Sequence, residues 1–187
     1  MQIVITESQF KLLSEQLDTT QFKKASEFVA SQWYWDHIRE EEGLRCKAYK
    51  NKGEKNFTIG YGHSSEDVKE GDVLGDGKNC KGEADDLLYQ DSTEHADKLR
   101  KIFTEEWESQ EIYLSITQGM FDALLSLSYN GGAGGLRRSD VLAILKTIGD
   151  DKGVYKSAAE TIKTYRVSMP GHKVRREKEY ERFIEGL

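Results

Sequence analysis

Residues 42 to 63 constrain this chain more than any other stretch. Glu42-Gly43-Leu44-Arg45-Cys46-Lys47-Ala48-Tyr49-Lys50-Asn51 leads through a turn into Thr58-Ile59-Gly60-Tyr61-Gly62-His63. Glycine directly after Glu42 is a natural helix C-terminal signal, so a helix is expected to end at Glu42-Gly43. Beyond it, Tyr49, Phe57, Ile59 and Tyr61 favour strands, and Asn51-Lys52-Gly53-Glu54 carries turn chemistry. The stretch therefore predicts a helix running into a β-hairpin over Arg45 to Tyr61, with the Glu42 carboxylate at the junction. Gly60 and Gly62 on the exit strand allow close approach of backbone or ligand.

The rest of the chain reads as mostly helical. Thr6-Glu7-Ser8-Gln9 is a capping box before a short helix through about Gln16. A second helix is expected from Asp18 to Thr20 onward, with Phe22, Ala25, Val29 and Trp33 on one face and Phe28, Trp35 and Ile38 on another. Either it is buried on two sides or it breaks near Ala30 to Gln32 and restarts. Glu83 to Phe103 reads as a long helix bridging two lobes, and Ser115-Ile116-Thr117-Gln118 as a second capping box opening an apolar helix that stops at Asn130-Gly131. Further helices are expected from Asp140 to Ile148, around Ser157 to Tyr165, and after Pro170-Gly171. The fold class is α+β, with an N-terminal helical extension over 1–30, a hairpin lobe over about 43–82, the interlobe helix over about 83–103 and a helical lobe over about 104–187.

Length and charge exclude several functions. At 187 residues and 37% hydrophobic content the chain buries one core or two small lobes sharing a helix. No apolar run approaches the roughly 18 residues of a membrane span. Met1 to Glu7 has neither the basic start nor the apolar core of a secretory signal. Glu66 to Glu111 holds fifteen acids against six bases, whereas Lys156 to Leu187 holds eight bases against five acids. Nucleic-acid binding needs a basic stripe that dominates its domain, and only His172-Lys173-Val174-Arg175-Arg176 is basic, so no nucleic-acid partner is expected.

Two cysteines, Cys46 and Cys80, form no disulfide framework and fit no zinc spacing; they read as small buried or surface thiols, with a bridge open only if the fold brings them together. Asp72, Asp76, Gly77 and Glu83 mimic a calcium loop, but Leu74 and Lys78 occupy the wrong places, so no metal is expected. Trp33, Trp35 and Trp107 read as core residues in preference to sugar platforms. His63 reads as a structural hydrogen-bonder in preference to a metal ligand.

The Glu42 to His63 stretch resembles the phage-type lysozymes, the muramidases of glycoside hydrolase family 24. Three further stretches follow in the family's order: Lys81-Gly82-Glu83-Ala84-Asp85-Asp86-Leu87-Leu88 with Asp91; Leu127-Ser128-Tyr129-Asn130-Gly131-Gly132-Ala133-Gly134-Gly135 with Ser139 and Leu142; and Gly171 with Arg175-Arg176 and Glu179. The resemblance covers roughly Trp33 to Leu187. It implies a lysozyme-like fold in which a hairpin lobe and a helical lobe enclose a cleft, and hydrolysis of peptidoglycan glycan strands by a monomer without cofactor. It also implies a chain held in the host cytoplasm until a separate membrane-permeabilising protein releases it to the periplasm and cell wall.

The resemblance implies a role for each site residue. Glu42 is the general acid, Thr58 and the residue at position 51 hold the attacking water, and Gly60, His63 and Asn130 line the sugar site. Inversion needs an acid on one face of the scissile bond and a base activating water on the other. The family usually places aspartate nine residues after the glutamate; this chain has Asn51, which orients water but takes no proton. Glu54 on the same turn is the other candidate base. Asn51 also leaves open a non-catalytic glycan-binding module, and chitin-type hydrolysis is a related enzymatic alternative. Arg175 or Arg176 is expected to pair with a cleft carboxylate.

Overall fold

The computed structural model describes residues 21–147, 152–168 and 170–187. The expected helix before Gln16 lies outside them. Residues 21–30 carry no α-helix, contrary to expectation: β1 (Lys23–Lys24) is followed by a 3₁₀ turn over Ala25–Glu27. Tertiary contacts override the helical spacing there. Phe28 stacks on Phe121 at 5.8 Å, and the Phe28 carbonyl accepts from Arg100 at 2.7 Å.

The chain restarts as α1 (Gln32–Glu42), whose N-cap is Ser31. The Ser31 hydroxyl donates to buried Asp122 and caps nothing. After Gly43 come β2 (Arg45–Tyr49), β3 (Phe57–Gly60) and β4 (His63–Ser65), an antiparallel sheet in that order. The third strand is an addition to the expected hairpin. Tyr49 stands opposite Thr58, and Thr58 opposite Ser64, with a register irregularity between Arg45 and Tyr49.

The chain then returns along β2. Ala48 N–H donates to Asp72 O at 2.9 Å and Leu74 N–H to Cys46 O at 2.8 Å. This return brings Cys80 beside Cys46, and the two form a disulfide with Cα atoms 5.6 Å apart. The reading as thiols is therefore corrected; a 34-residue separation carries no local signal. The carboxylates of the calcium-like loop are taken up by backbone: Asp76 accepts from Lys78 and Asn79 N–H, and Glu83 from Gly75 N–H. Among the described residues no group of three or more His, Cys, Asp or Glu is arranged to hold a metal.

From Cys80 the interlobe helix α2 (Lys81–Lys101) crosses to the helical lobe and continues as a π-helical stretch, Ile102–Trp107. Ser115 is not the cap expected, because Ser115–Ile116 forms β5 and pairs with β1. The cap is Thr117, whose hydroxyl accepts from Met120 N–H, and α3 (Gln118–Gly131) follows. Residues 118–128 of α3 are all buried, so this helix is the centre of the core. It packs on α1 through Tyr34 and Ile38, on α2 through Leu88 and Leu99, and on the C-terminal helix through Phe183. Gly119 permits the last contact, since a Cβ there would collide with the Arg182 carbonyl. The remaining helices are α4 (Ala133–Arg137), α5 (Asp140–Leu145), α6 (Lys152–Ile162) and α7 (Pro170–Ile184). Trp107 is buried, and Trp33 and Trp35 pack partly buried against the core.

Candidate active site

Helix α1 delivers Glu42 to the junction of the lobes. Gly43, at φ +66°, ends the helix by donating its N–H to the Arg39 carbonyl at 3.1 Å. Glu42 Oε1 accepts from Arg175 Nη1 of α7 at 2.6 Å. Oε2 lies against Gly62, where a Cβ would stand 3.2 Å away. Gly62 also sits at φ +89°, so the backbone favours glycine there and a Cβ would press tightly on the carboxyl. The Glu42 side chain is 22% exposed against 4% for Arg175, which leaves the carboxyl reachable while the guanidinium is enclosed.

Arg175 belongs to a buried ionic network. Its Nε donates to Glu179 Oε1 at 3.2 Å, and Ser126 Oγ donates to the same oxygen. Arg176 bonds Glu179 Oε2 through Nη1 and Asn130 Oδ1 through Nη2 at 2.5 Å. His37 Nε2 lies 3.6 Å from Glu179, too far for a hydrogen bond. Burial opposes charge on Glu179, yet the Arg176 and Arg175 guanidinium groups and the Ser126 hydroxyl together hold its carboxyl below the usual range. Burial likewise opposes charge on Arg175, and the Glu42 and Glu179 carboxylates outweigh it, keeping the guanidinium protonated. A buried pair of this kind is costly to break because one partner is left charged in the core.

The hairpin carries Asn51, Glu54 and Thr58. Asn51 to Glu54 is a β-turn closed by Glu54 N–H donating to Asn51 O at 3.2 Å, with Gly53 at φ +92°. Glu54 folds back over this turn. Its Oε2 accepts from Asn51 N–H at 2.9 Å and its Oε1 from Asn51 Nδ2 at 2.8 Å. These two donors hold the Glu54 carboxyl below its ordinary range. Thr58 is buried on β3, opposite Tyr49. Partial burial, then Glu54, then Glu42 raise the Tyr49 phenol, so this side chain lies within electrostatic range of both carboxylates.

The other expected site residues fall nearby in different settings. His63 Nδ1 lies 3.0 Å from both Asp91 oxygens, which ties β4 to α2. Gly60, at φ +66°, passes close to Ala84. Asn130 has its carbonyl committed to Arg176. Tyr129 OH donates to the Tyr61 carbonyl at 2.8 Å and so joins the lobes. Burial, then Asp91, Tyr34 and Glu42 raise its phenol, which keeps it a donor. His37, Ser126 and the contact of Gly62 with Glu42 had no sequence signal, since each depends on a partner far along the chain. A concavity of about 490 Å³ between α1 and α7, lined by Trp33, His37, Lys178 and Arg182 among others, does not include Glu42 and meets the network behind it at His37.

The phage lysozyme family model matches residues 39–179. The endolysin of Bacillus phage B103 is 36% identical over 156 residues, covering 80% of this chain and 51% of that protein. The endolysin of Bacillus phage PZA is 38% identical over 109 residues, covering 58% of this chain and 37% of that protein. The chain thus spans about half or less of the length of these two relatives. In fold, the chain is similar to the muramidase domain of SpmX from Asticaccaulis excentricus, with TM-score 0.68, 23% identity and coverage of 84% and 99% of the two chains. It is also similar to the endolysin from Escherichia coli O157:H7 phage FAHEc1, with TM-score 0.67, 24% identity and coverage of 86% and 96%.

Proposed function

This chain belongs to the phage lysozyme family, and from that premise we propose that it hydrolyses the β-1,4 bond between N-acetylmuramic acid and N-acetylglucosamine in bacterial peptidoglycan, lysing the host cell wall. The observation that carries the proposal is the Glu42 carboxyl, anchored by Arg175 through Oε1 and left partly exposed beside Gly62 at Oε2. Protonated, Glu42 gives its proton to the leaving glycosidic oxygen. Arg175 fixes the carboxyl in place, and orientation of this kind lowers the barrier because the acid need not be ordered during reaction. Water is held on the opposite face by Thr58 and Asn51, and the outcome is inversion. Gly60, His63 and Asn130 border the sugar site.

Among the described residues no helix is long and apolar enough to cross a membrane. The proposed course is accumulation in the host cytoplasm and release to the wall by a separate permeabilising protein, with the 31–187 segment acting as one monomeric catalytic unit. Asn51 favours a second reading, a glycan-binding module that keeps the cleft without hydrolysis, because an amide takes no proton from water. Mass spectrometry of digested, purified peptidoglycan separates the readings. New reducing-end N-acetylmuramic acid supports the muramidase; glycan binding without new reducing ends supports the module; new reducing-end N-acetylglucosamine contradicts the assigned bond.

A further inference from the structure

We propose that Glu54 is the base of this active site and that Asn51 positions both Glu54 and the attacking water. The proposal rests on the muramidase reading above. An inverting hydrolase needs a second carboxylate opposite its acid, and Asn51 cannot serve. Of the other hairpin-lobe carboxylates, Glu66 pairs with Lys55, and Asp72 and Asp76 accept from backbone in the loop after β4. Glu54 alone among them contacts Asn51, through both carboxylate oxygens.

That contact divides the work. With Nδ2 turned to Glu54, the Asn51 Oδ1 is the amide atom left to accept a hydrogen bond from water. Each Glu54 oxygen uses one acceptor site on Asn51 and retains another. Thr58 lies across from Tyr49 on the adjoining strand, and Tyr49 feels both Glu54 and Glu42.

In the reaction, the water oxygen bonds to the anomeric carbon as the bond from that carbon to the leaving sugar oxygen breaks. The Glu42 proton goes to the leaving oxygen, and one water proton goes to Glu54. One water is consumed, Glu42 ends ionised and Glu54 ends neutral. Exchange with solvent, to which Glu54 is open, restores both. The donors of Asn51 keep Glu54 ionised to lower pH than an ordinary glutamate. They also make it a weak base, which implies a slow enzyme.

The test measures reducing-end release from purified peptidoglycan by wild type, Glu42→Gln, Glu54→Gln, and Glu54→Gln combined with Asn51→Asp. Glu54→Gln keeps an oxygen for Asn51 to bond but loses basicity, and kcat is expected to fall on the order of 10²-fold with KM little changed. Adding Asn51→Asp restores a carboxylate beside the water and is expected to recover at least about tenfold. In wild type the acid limb of the pH profile is expected below the ordinary glutamate range; in Asn51→Ala, which removes a donor, it moves up. Glu54→Gln within about threefold of wild type, or a loss that Asn51→Asp does not relieve, overturns the base assignment. If Glu42→Gln is inactive in that case, the muramidase reading stands without it. A wild type that releases no reducing ends overturns both.

Discussion

Arg175 Nη1 reaches Glu42 Oε1 at 2.6 Å across 133 residues of sequence, so the C-terminal helix sets the position of the carboxyl at the end of α1. Behind it, Glu179 gathers Arg175, Arg176 and Ser126 without exposure to solvent. The candidate acid thus stands on the core and not on a loop. This is why changes buried behind the cleft are expected to reach the chemistry.

Glu179→Gln is expected to destabilise the protein by about 3 kcal/mol or more, because buried Arg176 loses its counter-charge and Arg175 keeps only Glu42. The pH dependence follows from the direction of the shift. The folded-state carboxyl is held below its unfolded value, so its stabilisation is present above about pH 4.3 and is lost as pH falls through the lower folded value. Urea unfolding at pH 7 and pH 3 checks this: the wild type loses stability on acidification, and the variant loses less.

Gly62→Ala is expected to damage activity more than Gly43→Ala does. Both glycines have positive φ, so each substitution costs about 1–3 kcal/mol of backbone strain. Only at Gly62 does the new Cβ press on Glu42 Oε2; at Gly43 nothing lies within 4 Å. Displacing the acid is expected to lower kcat on the order of 10²-fold. Equal kcat values for two folded variants would argue against the contact as the cause.

The Cys46–Cys80 bridge closes a loop of 34 residues and is expected to add about 3–4 kcal/mol of stability. Thermal unfolding with and without reductant tests it. Reductant should lower Tm in wild type and leave Cys46→Ala/Cys80→Ala unchanged; equal reductant sensitivity in both would show that the bridge is not the cause.

Local signals explain what was legible. The end of α1 at Gly43 and the turn at Asn51 to Glu54 are set by neighbours in sequence, and both were readable. Features decided by distant partners were not. Helical spacing over residues 21–30 gave way to pairing of Lys23–Lys24 with Ser115–Ile116, which also moved the cap of α3 from Ser115 to Thr117. His63-Ser64-Ser65 lacks apolar alternation, and only pairing with β3 makes it a strand. Arg175 and Arg176 are adjacent in sequence but diverge around α7, so their division between Glu42 and Asn130 required the packed helices.

The central assignment is that Glu42 supplies the proton, and the most direct test is reducing-end release from purified peptidoglycan by Glu42→Gln beside wild type. The carboxamide keeps the shape and still accepts from Arg175, so the fold is expected to persist by circular dichroism. The rate is expected to fall by roughly 10² to 10⁴-fold, the usual contribution of general acid catalysis. A folded variant that retains more than about a tenth of wild-type activity, well above that range, contradicts the role of Glu42.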